Sequence, residues 1–327
     1  MELFSHKLGR LFKATDLLYT HLYLYLYLKY LLMIHTIDLK FLGLSENIAA
    51  FLIETSEGPV LVETGPHSTL PNLREGIKEA GFNIEDVKHV FLSHIHLDHA
   101  GAAWWFAQRG AKIYVHPRGI RHLSSPERLM ESARRIYKDK MDELWGEMHP
   151  IDETQLVAVD HEASFQIGDQ RFQAWHTPGH ASHHIAWQRG KDLFTGDVAG
   201  VSIRGGIVIP PCPPPDINIE DWHKSTQLIR QLKIDHLYLT HYGYLPNSTK
   251  HFDQLDKRLN DWANWIKPYF DKGSSQQEIT PLFQAMVIGE LAGAGMDKKG
   301  QAQYEAANPS WMSVAGLMRY WKKKEEV

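Results

Sequence analysis

Four residues within six positions, His94, His96, Asp98 and His99 of "FLSHIHLDHAG", follow directly on a short apolar run. Imidazoles and a carboxylate at this spacing cannot share one apolar face, so packing does not explain them. Metal coordination does, because three nitrogen donors and one carboxylate lie close enough in the chain for one turn to bring them together. Three later stretches repeat one arrangement, in which a strand ends and a candidate ligand opens the following loop. They are "WHTPGHASHH" with His180, "LFTGDVAG" with Asp197 and "YLTHYGY" with His241. Ligands at strand carboxyl ends can face a common cleft. Each of the three taken singly reads as an ordinary structural residue, and beside the cluster they point to the metal.

Apolar periodicity predicts the elements that must hold these loops. Strands are expected over 34–41, 48–54, 60–63 and 87–92, with a helix over 68–80 before the last of them. A helix over 100–109 and the strand "AKIYVH" follow. Residues 117–150 read as a wholly helical insertion, a usual place for a substrate lid. The second half repeats the theme with strands over 155–159, 163–167, 171–176, 183–188 and 192–195. The proline-rich "IPPCPPPD", a helix over 220–232 and the strand "HLYLTH" come next. Strands followed by helices in each half predict an α/β chain, a four-layer αββα sandwich over 34–250. Residues 251–327 read as a helical C-terminal extension.

The chain has 327 residues, 43% of them hydrophobic, enough for an enzyme-sized core. Its net charge is -4 and it carries no basic stripe, so a small molecule is the expected partner and nucleic acid is not. The lone Cys212 excludes an internal disulfide, reads as a buried inert thiol, and leans the expected location toward the cytoplasm. At the N-terminus "LLYTHLYLYLYLKYLLMI", 17–34, follows Lys7, Arg10 and Lys13 as a signal anchor would, but His21 and Lys29 interrupt it. Residues 1–33 are therefore expected to be a dispensable extension, with membrane contact only if 17–34 is an anchor.

"HIHLDH" followed in order by His180, Asp197 and His241 resembles the metallo-β-lactamase superfamily, with its HxHxDH motif and three later ligands, over roughly residues 35–250. The resemblance implies two divalent metal ions. His94, His96 and His180 would hold the first, Asp98, His99 and His241 the second, and Asp197 would bridge them. Glu63 of "VLVETG" stands where the family commonly has the aspartate that orients a ligand histidine; it is one methylene longer but keeps the chemistry. Zinc suits this nitrogen-rich set, and iron or manganese also occupy mixed sites of this kind. His96 stands where oxygen-reducing diiron relatives usually carry glutamate, and no flavin domain follows, which favours hydrolysis.

The implied chemistry is attack by a hydroxide held between the ions, with Asp98 and Asp197 as the catalytic carboxylates and Asp98 orienting rather than acting as a free base. No "GxSxG" elbow supplies a serine nucleophile. The implied activity is a metal-dependent hydrolase of a carboxylic ester, thioester or lactone. Residues 117–150 and "NPSWMSVAGLMRYW" resemble glyoxalase-II-like hydrolases. The alternatives are a phosphodiesterase or nuclease on the same fold, or a non-catalytic metal-binding protein. His67, His184, Tyr242 and Tyr244 lie beside the motif loops and are candidates to donate a proton or a hydrogen bond to a ligand or the substrate, with a structural role as the simpler reading of each alone. Trp145, Trp311, Met312 and Trp321 are candidates for an apolar acyl pocket, with core packing as the simpler reading.

Overall fold

Runs such as "AAFLI" and "VLV" are apolar at every position, and strands of this kind need both faces covered. The computed structural model, which describes residues 33–326, covers them by stacking two six-stranded sheets. The first sheet contains β1 (Ile34–Asp38), β2 (Ala49–Ile53), β3 (Val60–Val62), β4 (His89–Phe91), β5 (Lys112–Val115) and β6 (Leu156–Ala158), side by side in that order. β2 and β3 are antiparallel, while β3 to β6 run parallel. The second sheet contains β7 (Ser164–Ile167), β8 (Gln170–His176), β9 (Ile185–Arg189), β10 (Asp192–Gly196), β11 (His236–Leu239) and β12 (Gly243–Pro246), also in order. Only β10 and β11 pair in parallel there.

Aromatic rings fill the space between the sheets. Phe91 of β4 stacks on Phe172 of β8 at 4.8 Å and meets Trp187 of β9 edge-on at 4.5 Å, and Phe51 of β2 lies 5.4 Å from Phe194 of β10. Such pairs contribute roughly 0.5–1.5 kcal/mol each beyond their burial. Polar bonds then tie the sheets together near the strand ends that carry the motifs. Trp187 Nε1 donates to Leu92 O at 2.9 Å, Ile185 N to Ser93 O at 2.7 Å, and Ala49 N to Thr240 O at 2.8 Å.

Helices cover both outer faces. On the first sheet lie α1 (Leu70–Glu79) and, beyond the single-turn α2 (Leu97–Ala100), α3 (Ala103–Ala107), whose Leu73, Ile77 and Phe106 join the strand core. The insertion forms α4 (Pro117–Ser124), α5 (Glu127–Tyr137) and α6 (Met141–Leu144). Against the second sheet pack α7 (Ile219–Gln231), α8 (Thr249–Asp271), α9 (Gln276–Gly293), α10 (Lys298–Ala307) and α11 (Ser310–Glu325). Leu193 and Leu237 of the sheet share one core cluster with Phe252, Leu259, Trp262 and Leu317. The C-terminal helices are therefore the fourth layer of the sandwich as well as an extension of it.

Several boundaries differ from the sequence expectation. The helix expected over 100–109 is two short ones, and the first begins inside the histidine cluster. The strand expected from 183 begins at Ile185, because His184 N bonds back to Ala181 O in a turn. β12 has no counterpart in the expected elements, since its Gly243 and Pro246 read as loop; it is an edge strand, where both are tolerated. The anchor considered over 17–34 lies almost wholly outside the described residues. Among those described, no helix is long and apolar enough to cross a membrane.

Candidate metal centre

Each candidate ligand stands just beyond a strand. β4 ends at Phe91, after which His94 and His96 point inward and α2 turns Asp98 and His99 back toward them. His180 follows β8, Asp197 follows β10 directly, and His241 follows β11. Two glycines let these loops close. Gly179 has φ +137° and lies so near Trp222 that a Cβ would come within 2.3 Å of its Cα. Gly196, φ +50°, would place a Cβ 2.5 Å from Ser93 and 2.6 Å from His184 Nε2.

The side chains converge. His94 Nε2, His96 Nδ1 and His180 Nε2 lie 2.8, 3.1 and 3.2 Å from one another. His99 Nε2 is 3.7 Å from Asp98 Oδ2, and His241 Nε2 is 3.5 Å from the same oxygen. Asp197 stands between the two groups: Oδ2 is 3.3 Å from His180 Nε2, while Oδ1 is 3.3 Å from His99 Nε2 and 3.5 Å from His241 Nε2.

This arrangement fits divalent cations. Nitrogens bound to tetrahedral zinc at about 2.0–2.1 Å lie about 3.3 Å apart, close to the spacing of the first group. His180 Nδ1 donates to Pro211 O at 2.9 Å and His241 Nδ1 to Asn47 O at 2.8 Å, so in each neutral ring the bare Nε2 faces the cluster. His99 Nδ1 meets Glu63 Oε1 at 3.1 Å, and Ser93 Oγ lies 2.9 Å from His94 Nδ1. His99 Nε2, His241 Nε2 and Asp197 Oδ1 are buried with no hydrogen-bond partner. Every ion-pair contact of Glu63, Asp98 and Asp197 among the described residues is to a histidine, so their negative charge lacks a fixed cation. Buried carboxylates need one, and divalent ions supply it.

The electrostatics agree. Burial, joined by the neighbouring rings, pushes His94 well below its ordinary pKa and His96 down to about 3. Burial opposes charge at His99 and His241 too, but the carboxylates outweigh it, Asp197 foremost, and hold both rings above the usual value. Burial raises Asp98, yet His99 and His241 bring it down to about 2. The first group is thus ready as neutral nitrogen donors, and the carboxylates as anions.

The remaining candidates separate. Glu63 is fully buried at a left-handed φ of +64°, a strained backbone that aims its carboxylate at His99. His184 touches the centre through the main chain, its Nε2 accepting from Asp197 N at 3.1 Å and its Nδ1 bonding Thr177 Oγ1 at 2.8 Å. His67 lies away from the ligands, where its Nδ1 accepts from Glu147 N and its ring packs on Trp104. Tyr242 packs into the helical side of the core, and Tyr244 stands on β12 against Tyr238 and His236. Neither tyrosine lines the cleft, because the chain turns into the edge strand immediately after His241. Cys212 is buried, and burial pushes its thiol up. No sequence pattern pointed to Asn47 and Pro211, which act through backbone carbonyls, or to Ser93 and His183.

Above the ligands opens a cavity of about 950 Å³ with His96, Asp98, His180, Asp197 and His241 on its floor. Leu129, Ile136, Tyr137 and Trp145 of the insertion and Trp311 and Met312 of the C-terminal helices form much of its roof. The two halves meet where Tyr137 lies 5.9 Å from Trp311 and donates to Met312 Sδ at 3.3 Å. Trp321 takes no part; it packs in the helical core and donates to Ala263 O.

The chain has relatives with this architecture. The metallo-beta-lactamase fold-containing protein ST1585 of Sulfurisphaera tokodaii is 32% identical over 135 residues, 40% of this chain and 51% of that protein. An N-acyl homoserine lactonase of Bacillus cereus is 36% identical over 16% of this chain and 30% of its own length. The chain thus spans about half, and under a third, of the curated relatives it matches. The metallo-beta-lactamase family protein TTHA1429 of Thermus thermophilus shares the fold, with a TM-score of 0.65, 17% identity and coverage of 90% of this chain and 94% of that one. The family model of the metallo-beta-lactamase superfamily matches residues 46–241, a stretch that takes in Glu63 and every ligand candidate from His94 to His241. The chain belongs to that superfamily.

Proposed function

We propose that the protein hydrolyses carboxylic esters, thioesters or lactones with the help of two divalent metal ions. The observation that carries this reading is the Asp197 carboxylate, whose two oxygens face two different ligand groups. His94, His96 and His180 would hold one ion, Asp98, His99 and His241 the other, and Asp197 both. Zinc is the ion the donor set suits best, and such ions acidify water and polarise an acyl carbonyl.

The chain's own groups do the rest. Pro211 O, Asn47 O, Glu63 and Ser93 fix the rings, so the donors need no rearrangement during reaction. Asp98, its side chain 22% exposed at the cavity floor, accepts a hydrogen bond from the attacking water and orients it. The apolar roof receives the acyl arm and keeps bulk water from the floor. No protein nucleophile is needed: Ser182 Oγ is committed to Asp216 at 2.7 Å, and Cys212 is enclosed. The partial match to N-acyl homoserine lactonases supports a lactone within this range. Leu129, Ile136, Trp145 and Trp311 suit an acyl chain, and Arg118, Arg128 and Lys140 on the same cavity would meet an acidic group of the substrate.

The test is turnover of a panel of acyl esters, acyl thioesters, lactones and bis-p-nitrophenyl phosphate by metal-loaded protein. Acyl substrates should exceed the phosphodiester in kcat/KM by at least about a hundredfold, roughly 2.7 kcal/mol. The reverse order would overturn the reading in favour of a phosphodiesterase, and no turnover at all in favour of a binding protein.

A further inference from the structure

Outside the ligand set, two rings on the cavity carry a polar atom enclosed without a partner among the described residues: Trp145 at Nε1, in the roof, and His183 at Nδ1, beside the ligands. Tyr137 Oη donates to Met312 Sδ, Ser182 Oγ to Asp216, and Asn308 Nδ2 to Pro210 O. His183 is different: it lines the cavity, is 6% exposed, and its Nδ1 is enclosed with no partner. Its ring lies 6.1 Å from that of His94, nearly parallel at 19°, and 6.0 Å from that of His96. It therefore stands over the group formed by His94, His96 and His180.

An imidazole enclosed to this degree is favoured in its neutral form. A neutral imidazole carries one N–H and one bare nitrogen. Enclosing a bare acceptor costs less than enclosing an orphaned N–H, so the proton belongs on Nε2. Nε2 is not among the enclosed unpartnered atoms and makes no hydrogen bond among the described residues, so it opens on the cavity.

We propose that His183 Nε2–H donates a hydrogen bond to the acyl oxygen of the substrate, beside the His94, His96 and His180 group, as negative charge gathers there. The proposal rests on the ester-hydrolase reading and adds a protein donor to it. No proton is transferred. A donor aimed at developing charge acts on the transition state more than on the bound ester, so its removal lowers kcat and spares KM.

The experiment compares the full metal-loaded chain with its His183→Phe and His183→Gln variants. It measures metal content, kcat and KM on the best acyl ester of the panel, and calorimetric affinity for an alkyl trifluoromethyl ketone, whose adduct carries the oxyanion. His183→Phe should keep its metal and its KM within about threefold and lose about a hundredfold in kcat. Ketone affinity should fall by a similar factor, and His183→Gln, which retains an N–H donor, should recover at least about tenfold of both. If the Phe variant is insoluble, His183→Ala carries the same paired comparison. Normal kcat in the variants, or lost kcat with unchanged ketone affinity, overturns the His183 proposal alone. Wild-type protein that hydrolyses no ester overturns the hydrolase reading and this proposal with it.

Discussion

Beneath the cavity, His94, His99, His180 and His241 are enclosed, and each has its outer ring nitrogen held by a hydroxyl, a carboxylate or a backbone carbonyl. Above it, Leu42 and Ile136 are 46% and 43% exposed, and the insertion meets the C-terminal helices through side chains. The floor is held by polar bonds of fixed direction, the roof mostly by apolar contacts, with the Tyr137 Oη to Met312 Sδ hydrogen bond across it. Floor and roof should therefore answer mutation differently: the floor through metal affinity and kcat, the roof through KM and acyl length.

The largest effect is expected at Asp197. Replacement by alanine removes the shared carboxylate, and replacement by asparagine removes its charge. Both should cut kcat by at least about a hundredfold, roughly 2.7 kcal/mol. The circular dichroism spectrum should be retained, since the residue lies in a loop beyond β10. Near-normal turnover by Asp197→Asn would remove the distinction between floor and roof.

Next comes Glu63→Gln, which keeps the shape but weakens the hold on His99. Chelator competition should show about 10- to 100-fold weaker binding of one ion, with the other nearly unaffected. Equal weakening of both would mean that the two groups are not separable.

Trp311→Ala should act on the roof alone. We expect KM to rise about tenfold, near 1.4 kcal/mol, for a long-chain acyl ester and to change little for an acetyl ester. A fall in kcat for both esters would place this side chain with the floor. Smallest is Ser275→Ala, which breaks the capping box of α9 with Glu278; both residues lie outside the cavity lining. Calorimetry should show about 1 kcal/mol of lost stability and assays an unchanged kcat/KM.

The floor was legible in the sequence because metal chemistry demands particular residue types at short spacing and at strand ends. His94, His96, Asp98 and His99 announce themselves within one turn, and His180, Asp197 and His241 follow from their loops. Glu63 was legible from its motif, although its left-handed backbone was not. The roof was only half legible: Trp145, Trp311 and Met312 line the cavity and Trp321 does not, and no local pattern separates them. Tyr137 and Met312 meet across 175 residues of chain, a distance over which periodicity carries no information. His183 was hidden for a related reason. Alternation near "HHIAWQ" reads as strand, but the turn closed by His184 and Ala181 frees the ring of His183 to face the cavity. His67, Tyr242 and Tyr244 show the converse, where closeness in sequence to a motif loop did not place a side chain in the cleft.

Two ions sharing Asp197 stand at the centre of the proposed chemistry, and the metal content of purified protein tests them directly. Elemental analysis of a fully loaded preparation should give close to two ions per chain, and His241→Ala should lower the second occupancy while leaving the first. A preparation that never exceeds one ion per chain under saturating metal would contradict it.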